Sequence, residues 1–236
     1  MNEETFSVQR QQMVHEIMGH TAQVAGHIEK SGLATRVLEA MAKVPRHEFV
    51  PVEIQAYAYA NSPLPIGYGK TISQPFIVAL MTDLLDLRET DIVLEIGTGF
   101  GYQAAILAEL AHKVYSVEIL DELAVEARNR LGRLGYDNIE TCVANGYHGW
   151  AEHAPFDKIM VTAAPELIPP PLINQLKPGG HMAVPAGLKD SQQLVFVSKG
   201  ADGRVTTREI LAVRFSPLEE TGTPDSGPPL SHTLMT

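Results

Sequence analysis

The stretch DIVLEIGTGFGYQAAILAEL, residues 91 to 110, decides the fold predicted for this chain. Its first six residues form a short aliphatic, β-branched run typical of a buried strand, and YQAAILAEL (102–110) has a helical pattern. Three glycines lie between them: Gly97, Gly99 and Gly101. Glycines let the backbone turn sharply and approach a ligand closely. A strand, a glycine-rich turn and a helix in this order predict an α/β fold that binds a nucleotide-like group.

The residues that follow repeat the alternation of strand and helix. Four further short β-rich runs are KVYSVEI (113–119), NIETCV (138–143), FDKIMV (156–161) and HMAVPAG (181–187). Two more strands, near 192–198 and 204–214, are separated by KGADG, which is typical of a hairpin. The segment INQLKPGG (173–180) reads as the end of a helix. The pattern predicts a doubly wound, mostly parallel seven-stranded sheet that ends in an antiparallel hairpin.

The segments before residue 91 are predicted to be helices and loops. Residues 1–44 read as helical with a break around Gly32, and NSPLPIGYGK (61–70) reads as loop or turn because of its prolines and glycines. In TISQPFIVALM (71–81), Pro75 suits the first position of a helix. Ser73 is then one residue too early for the simplest cap, so its hydroxyl is free for another role. The alternative is that Ser73 only caps this helix.

Composition narrows the functional classes. The chain has 236 residues, 44% of them hydrophobic, and a net charge of −10, which fits one α/β domain and disfavours binding to nucleic acid backbones. The longest apolar run (76–81) is too short to span a membrane, and MNEETFSVQR lacks the basic start of a signal peptide. Cys142 is the single cysteine, and the nine histidines form no metal-binding pair. We therefore expect a cytoplasmic protein without a metal site.

The acidic residue after the second strand makes the prediction of a nucleotide-like ligand more specific. Glu118 lies 21 residues after Gly97, where nucleotide-type α/β folds place an acid that accepts ribose hydroxyls. The glycine spacing is G-x-G-x-G, whereas dinucleotide-binding folds use G-x-G-x-x-G. EIGTGFG resembles instead the first motif of S-adenosylmethionine-dependent methyltransferases with a Rossmann-like sheet, and LKPGG (176–180) is similar to a later landmark of that class.

Several stretches together resemble one family, the protein-L-isoaspartate O-methyltransferases. They run in family order from about residue 33 to 218, and they include VPRHEFVP, GKTISQPF, VLEIGTGFGYQ, NGYHGW, APFDKIMVTAA, LINQLKPGG and VRFSPL. The resemblance implies transfer of a methyl group from S-adenosylmethionine to the free carboxylate of isoaspartyl residues in damaged proteins and peptides, without nucleic acid or membrane partners. It leaves the oligomeric state open, with a monomer expected.

The resemblance also implies roles for individual residues. Ser73 falls at the family's active-site serine and would orient the substrate carboxylate. The implied cofactor-binding residues are Thr71, Ile72, Ser73, Gly97, Thr98, Gly99, Gly101, Glu118, Asn145 and Gly146. The implied substrate-binding residues are Ser73, Val213, Phe215 and Pro217. No residue is assigned to a metal.

The sequence also predicts how the chain is divided. A single methyltransferase domain (1–220) is expected to comprise four parts: an N-terminal helical region (1–60), an active-site loop (61–75), a cofactor-binding core (91–198) and substrate-side strands (199–220). Residues 221–236 are polar and proline-rich and are predicted to form a flexible tail.

Two residues depart from the family pattern. Asn145 stands where the family has an aspartate beside the adenine, and Lys70 directly before TIS is unusual. These departures keep open a related methyltransferase that modifies another peptide or small acid. An NAD-dependent dehydrogenase is disfavoured by the glycine spacing. A non-catalytic binding module is disfavoured because the motif positions around the methyl-transfer centre are filled.

Overall fold

The computed structural model describes residues 2–28 and 32–220. Its helices are α1 (Glu3–Ile28), α2 (Thr35–Lys43), α3 (Pro75–Leu84), α4 (Tyr102–Ala108), α5 (Asp121–Arg133) and α6 (Pro170–Gln175). Its strands are β1 (Leu64–Gly67), β2 (Lys70–Ile72), β3 (Ile92–Ile96), β4 (Lys113–Glu118), β5 (Ile139–Val143), β6 (Phe156–Val161), β7 (Leu176–Leu188), β8 (Ser191–Lys199) and β9 (Val205–Val213). The tail predicted for 221–236 lies outside the described residues.

Seven strands form one sheet in the order β5-β4-β3-β6-β7-β8-β9. Strands β3 to β7 pair in parallel, whereas β8 pairs antiparallel with both β7 and β9. This confirms the predicted mostly parallel sheet with a closing hairpin. After β3, the chain places β4 and β5 on one side of that strand and then crosses to its other side to form β6. A crevice for ligands is expected outside the carboxyl end of β3 at this switch point.

The sheet separates two buried clusters. Val93 packs in the larger cluster with residues of α1 to α5, whereas its neighbour Leu94 packs in the smaller cluster with Leu172 of α6. Successive residues of a strand point to opposite faces, so β3 contributes apolar side chains to both clusters. Helices therefore cover both sides, as the alternating sequence pattern predicts. In the described residues, no helix is both long and apolar enough to cross a membrane.

Two local predictions were wrong. Residues 61–70 are not a plain loop, because β1 and β2 form an antiparallel hairpin around Tyr68 and Gly69, whose φ angles are 54° and 68°. Two residues with positive φ form the turn that suits a tight hairpin, and prolines are tolerated in such edge strands. The helix predicted to end in LKPGG ends at Gln175, and LKPGG begins β7. A register shift between β6 and β7 accommodates the glycines there.

Candidate active site

The glycine-rich turn after β3 forms one wall of a cleft. Gly97 donates a backbone hydrogen bond to the carbonyl of Val117 (2.8 Å) and has a φ of +97°. A Cβ at this position would lie 2.5 Å from the Thr162 hydroxyl oxygen, which donates to the Gly97 carbonyl (2.7 Å). A side chain is excluded on both counts. Only glycine lets this turn run close to the end of β6.

Glu118 ties the end of β4 to the same turn. Its Oε2 accepts the N–H of Gly99 (2.8 Å), and its Oε1 accepts the N–H groups of Ile119 (2.9 Å) and Leu120 (3.1 Å). Burial raises the pKa of the Glu118 carboxyl, while these three hydrogen bonds and the charge of Lys70 favour the ionised form. A carboxylate has about four lone-pair sites, so one remains for a ligand hydroxyl.

A second carboxyl group lies beneath the turn and is fully buried. Glu95 accepts a hydrogen bond from the Ser116 hydroxyl, whose oxygen lies 2.6 Å from the Thr98 hydroxyl oxygen. Burial raises the pKa of Glu95 to about 8, and the nearby charge of Glu118 adds to the shift, whereas the Ser116 hydrogen bond opposes it. Glu95 is therefore protonated near neutral pH, since its charged form is poorly solvated there.

The loop before α3 forms the opposite side of the cleft. Asn61 caps this helix: its Oδ1 accepts the N–H of Phe76 (3.0 Å), and its carbonyl accepts the amide of Gln74 (3.0 Å). The first residues of a helix need such acceptors for their free N–H groups. Within residues 2–28 and 32–220, the Ser73 hydroxyl has no hydrogen-bond partner. Asn61 thus caps α3, and the Ser73 hydroxyl is not needed for that role.

Arg46 fixes the backbone of Ser73 from within the core. This fully buried side chain donates from Nη2 to the Ser73 carbonyl (2.8 Å) and from Nε to the Ala58 carbonyl (2.8 Å). Its guanidinium lies 4.8 Å from the Tyr102 ring centroid. Burial lowers the pKa of Arg46 to about 10, which leaves it charged at neutral pH. Charged donors make the stronger hydrogen bonds, so the loop is firmly anchored behind the serine.

These elements enclose a cleft that adjoins a second space, a groove. Eight of the residues predicted to bind the cofactor line the cleft: Thr71, Ile72, Ser73, Gly97, Thr98, Gly99, Glu118 and Gly146. The groove is lined by residues before and in the first turn of α3, by Thr162 and by Ala212 to Ser216, which include the predicted Val213 and Phe215. Four residues line both spaces: Thr71, Ser73, Thr162 and Ser216. The two spaces therefore meet at Ser73.

Comparison with known proteins agrees with this geometry. The family model described as protein-L-isoaspartate(D-aspartate) O-methyltransferase matches residues 20–222. A protein-L-isoaspartate O-methyltransferase 1 from Polaromonas is 63% identical over 93% of this chain and 93% of its own.

The chain belongs to this family. It is an S-adenosylmethionine-dependent methyltransferase of the kind that acts on isoaspartyl proteins, so the predicted fold, reaction and cofactor are confirmed. A solved protein-L-isoaspartate O-methyltransferase superposes with a TM-score of 0.76 at 28% identity, over 88% of this chain and 65% of that one. A Plasmodium falciparum crystal structure in complex with S-adenosyl-L-homocysteine shares the fold, with a TM-score of 0.71 at 21% identity over 87% and 98% of the two chains.

Three residues to which the family resemblance gives roles lie elsewhere than expected. Gly101 does not line the cleft; it precedes α4 with a φ of +96°, and its Cα faces the Leu131 side chain. Asn145 also stays outside the lining and begins a short 3₁₀ turn at Gly146–His148. Pro217, predicted to contact substrate, lines the cofactor cleft and not the groove.

Sequence reasoning missed two groups of residues in this methyltransferase site. Thr162 directly follows β6, and since the carboxyl ends of parallel strands meet at one edge of the sheet, its position could have been inferred. No such signal in the sequence indicates that Arg46 binds the Ser73 carbonyl, or that Leu218 and Glu219 line the cleft. In the part of the chain that the structure describes, no three His, Cys, Asp or Glu side chains cluster as metal ligands do.

Proposed function

We propose that Ser73 orients the isoaspartyl carboxylate for methyl transfer at the junction of the cleft and the groove. The observation that carries the proposal is that Thr71, Ser73, Thr162 and Ser216 line both spaces. A cofactor in the cleft and a peptide in the groove would face each other across these four residues. Methylation at this junction would begin the repair of the damaged peptide bond.

The residues of the cleft fit S-adenosylmethionine. The bound cofactor supplies a methyl group on a positively charged sulfur, which is open to attack by a carboxylate oxygen. The Gly97 and Gly99 backbone, which lines the cleft, would hold its amino-acid end, as the family resemblance implies. Glu118 keeps a free lone pair for a ribose hydroxyl beyond its three backbone bonds. Thr71, Ile72 and Gly146 complete the wall.

Ser73 would act by position and not by acid–base chemistry. A carboxylate is already ionised near neutral pH, so no general base is required. The Ser73 hydroxyl, which has no partner in the described chain, would donate to one carboxylate oxygen and leave the other directed into the cleft. The bond from Arg46 to the Ser73 carbonyl would keep the hydroxyl in place. Such alignment, in a site that excludes water, accounts for large rate effects.

The groove favours recognition of many peptide sequences. It adjoins the end of β9, where Val213 and Phe215 were predicted to contact the substrate. Both backbone groups of Phe215 are bound by the side chain of Gln192 (2.7 and 3.2 Å). Contacts from Phe215 would therefore come from its side chain, and a peptide laid along β9 would use the remaining backbone groups. Recognition of this type tolerates varied sequences around the damaged residue.

Single-turnover methylation of paired isoaspartyl and aspartyl peptides tests the proposal. We expect the wild-type enzyme to methylate the isoaspartyl peptide alone. Ser73→Ala should slow this step on the order of 10²-fold, and Ser73→Thr should keep part of the rate. Both variants should melt like wild type because Asn61 caps α3. If Ser73→Ala melts lower, by about the 1 kcal/mol of a lost cap, but methylates at the wild-type rate, Ser73 is structural and the proposal is wrong.

We further propose that the enzyme is a cytoplasmic monomer. The net charge of −10 favours a soluble, monomeric protein because like charges repel. The single cysteine fits the reducing cytoplasm, since one cysteine can form no disulfide within the chain. Sedimentation equilibrium should give the mass of one chain, and a concentration-dependent mass of two chains would contradict it.

A further inference from the structure

The segment 216–220, here called the C-terminal strap, forms one wall of the cofactor cleft. Its backbone runs beside Ala164: the Ser216 carbonyl accepts the Ala164 N–H (2.8 Å), and Leu218 donates to the Ala164 carbonyl (2.9 Å). Four of its residues line the cleft: Ser216, Pro217, Leu218 and Glu219. The strap thus lies over the crevice at the switch point of the sheet.

The far end of the strap is held by the two residues that depart from the family pattern. Lys70, in β2, forms an ion pair and hydrogen bond with Glu219. Asn145 donates from Nδ2 to the carbonyl of Glu220 (3.0 Å), while its Oδ1 accepts the N–H of Tyr147 (2.8 Å). The two departures lie 75 positions apart in the sequence, yet they bind adjacent residues. An aspartate at 145 would have no N–H to donate.

The charges of the cleft favour this arrangement. Among the described residues that line it, Lys70 is the one cation, and the acids are Glu118 and Glu219. The side chains of Lys70 and Glu219 are only 18% and 21% exposed. Attraction between partly buried charges is less screened by salt and water than attraction on an open surface. The pair therefore holds the strap more firmly than an ordinary surface pair would.

We propose that Lys70 and Asn145 form a clasp that keeps the C-terminal strap closed over the cofactor and slows release of S-adenosylhomocysteine. The proposal rests on the proposed function of the cleft. Because the strap is a wall of the cleft, a ligand held beneath it leaves fastest when the strap moves away. Movement of the far end of the strap requires the Lys70–Glu219 pair and the Asn145 hydrogen bond to break, and movement of the whole strap also breaks its two backbone hydrogen bonds to Ala164. Lys70 and Asn145 are positioning residues, since they act on the ligand through the strap.

The experiment measures dissociation of S-adenosylhomocysteine by stopped flow from the full-length enzyme and from Lys70→Gln, Glu219→Gln and the double variant. Each single variant should release the ligand about 5-fold faster, as expected for loss of an ion pair. The double variant should be no faster than either single one, because the two residues act as a pair. Lys70→Arg should restore much of the slow release. Added salt should speed release from wild type more than from the variants.

Lys43→Gln is the matched control. Lys43 forms a Lys–Glu pair with Glu109 (2.6 Å) that also joins distant parts of the sequence but lies outside the cleft. This variant should release the ligand at the wild-type rate. Single-turnover methylation and melting temperature are measured beside release for every variant.

The clasp is overturned if Lys70→Gln and Glu219→Gln release S-adenosylhomocysteine at the wild-type rate, whether or not they melt lower. It is also overturned if their effects add in the double variant. Failure of the proposed function has a different signature, because Ser73→Ala would then methylate the isoaspartyl peptide at the wild-type rate, whatever the release rates of the clasp variants.

Discussion

The two walls of the cofactor cleft are built in different ways. The sheet wall, meaning the turn from Gly97 to Gly101 together with Glu118, is held by backbone hydrogen bonds and by glycines with positive φ. The C-terminal strap (216–220) is held at its far end by one ion pair and one side-chain hydrogen bond. The first arrangement cannot shift without disturbing the sheet, whereas the second can open locally. The difference indicates a fixed binding surface beneath a removable cover.

The largest effect is expected from Gly97→Ala in the sheet wall. The new Cβ would lie 2.5 Å from the Thr162 hydroxyl oxygen at a φ of +97°. Strain and overlap together should cost about 3 kcal/mol or more of folding free energy, and binding of S-adenosylhomocysteine should be lost. Gly179→Ala is the control, because Gly179 has a φ of +82° with open space around it. Equal melting temperatures for the two variants would contradict the role of the Thr162 contact.

Glu118→Gln should have the next largest effect, and on binding more than on folding. A glutamine has one oxygen where the carboxylate has two, so it cannot accept all three backbone N–H groups and a ribose hydroxyl. Loss of a charged hydrogen bond should cost about 1.5 to 3 kcal/mol of binding free energy for S-adenosylhomocysteine, measured by calorimetry. Glu122→Gln, an exposed acid on α5, should bind normally. Unchanged affinity in Glu118→Gln would remove Glu118 from the binding site.

Glu95→Gln tests whether the sheet wall controls the pH dependence of stability. The folded chain holds a proton on Glu95 up to about pH 8, whereas the unfolded chain releases it near the ordinary pKa of 4.5. The stability from this proton is thus fully present below the ordinary pKa and is lost as the pH rises through the folded pKa. As the pH rises from about 5 to 7, the free energy of unfolding of the unliganded wild type should fall by on the order of 2 kcal/mol more than that of Glu95→Gln.

Denaturant unfolding of both proteins across this pH range provides the measurement. If the free energies of unfolding of the two proteins change with pH in parallel, Glu95 is ionised in the folded chain and the assigned pKa shift is wrong.

Asn145→Asp, at the strap, should have the smallest effect. Aspartate keeps an acceptor for the Tyr147 N–H but loses the donor to the Glu220 carbonyl. The affinity for S-adenosylhomocysteine should fall by no more than about 1 kcal/mol, as measured by calorimetric titration. A much larger change would mean that the residue at 145 contacts the adenine directly and that the two walls do not differ as described.

Prediction from sequence was most accurate where local pattern controls the backbone. The seven strands, the glycine turn and the position of Glu118 all depend on short-range periodicity and on glycine conformations. The hairpin at β1 and β2 was missed because its prolines and glycines resemble those of a loop. The roles of the individual site residues stay predictions, although most of those residues do meet in the cleft and the groove.

The sequence by itself determined the α/β sheet, the family and the loop that carries Ser73, because these follow from residues close together in the chain. Only the tertiary structure decided what holds that loop and what covers the cleft. Asn61 caps α3 from 15 positions away, Arg46 reaches Ser73 across 27, and Lys70 meets Glu219 across 149. No periodicity records such pairs, since each joins residues that are separated in the sequence and meet only in the folded chain.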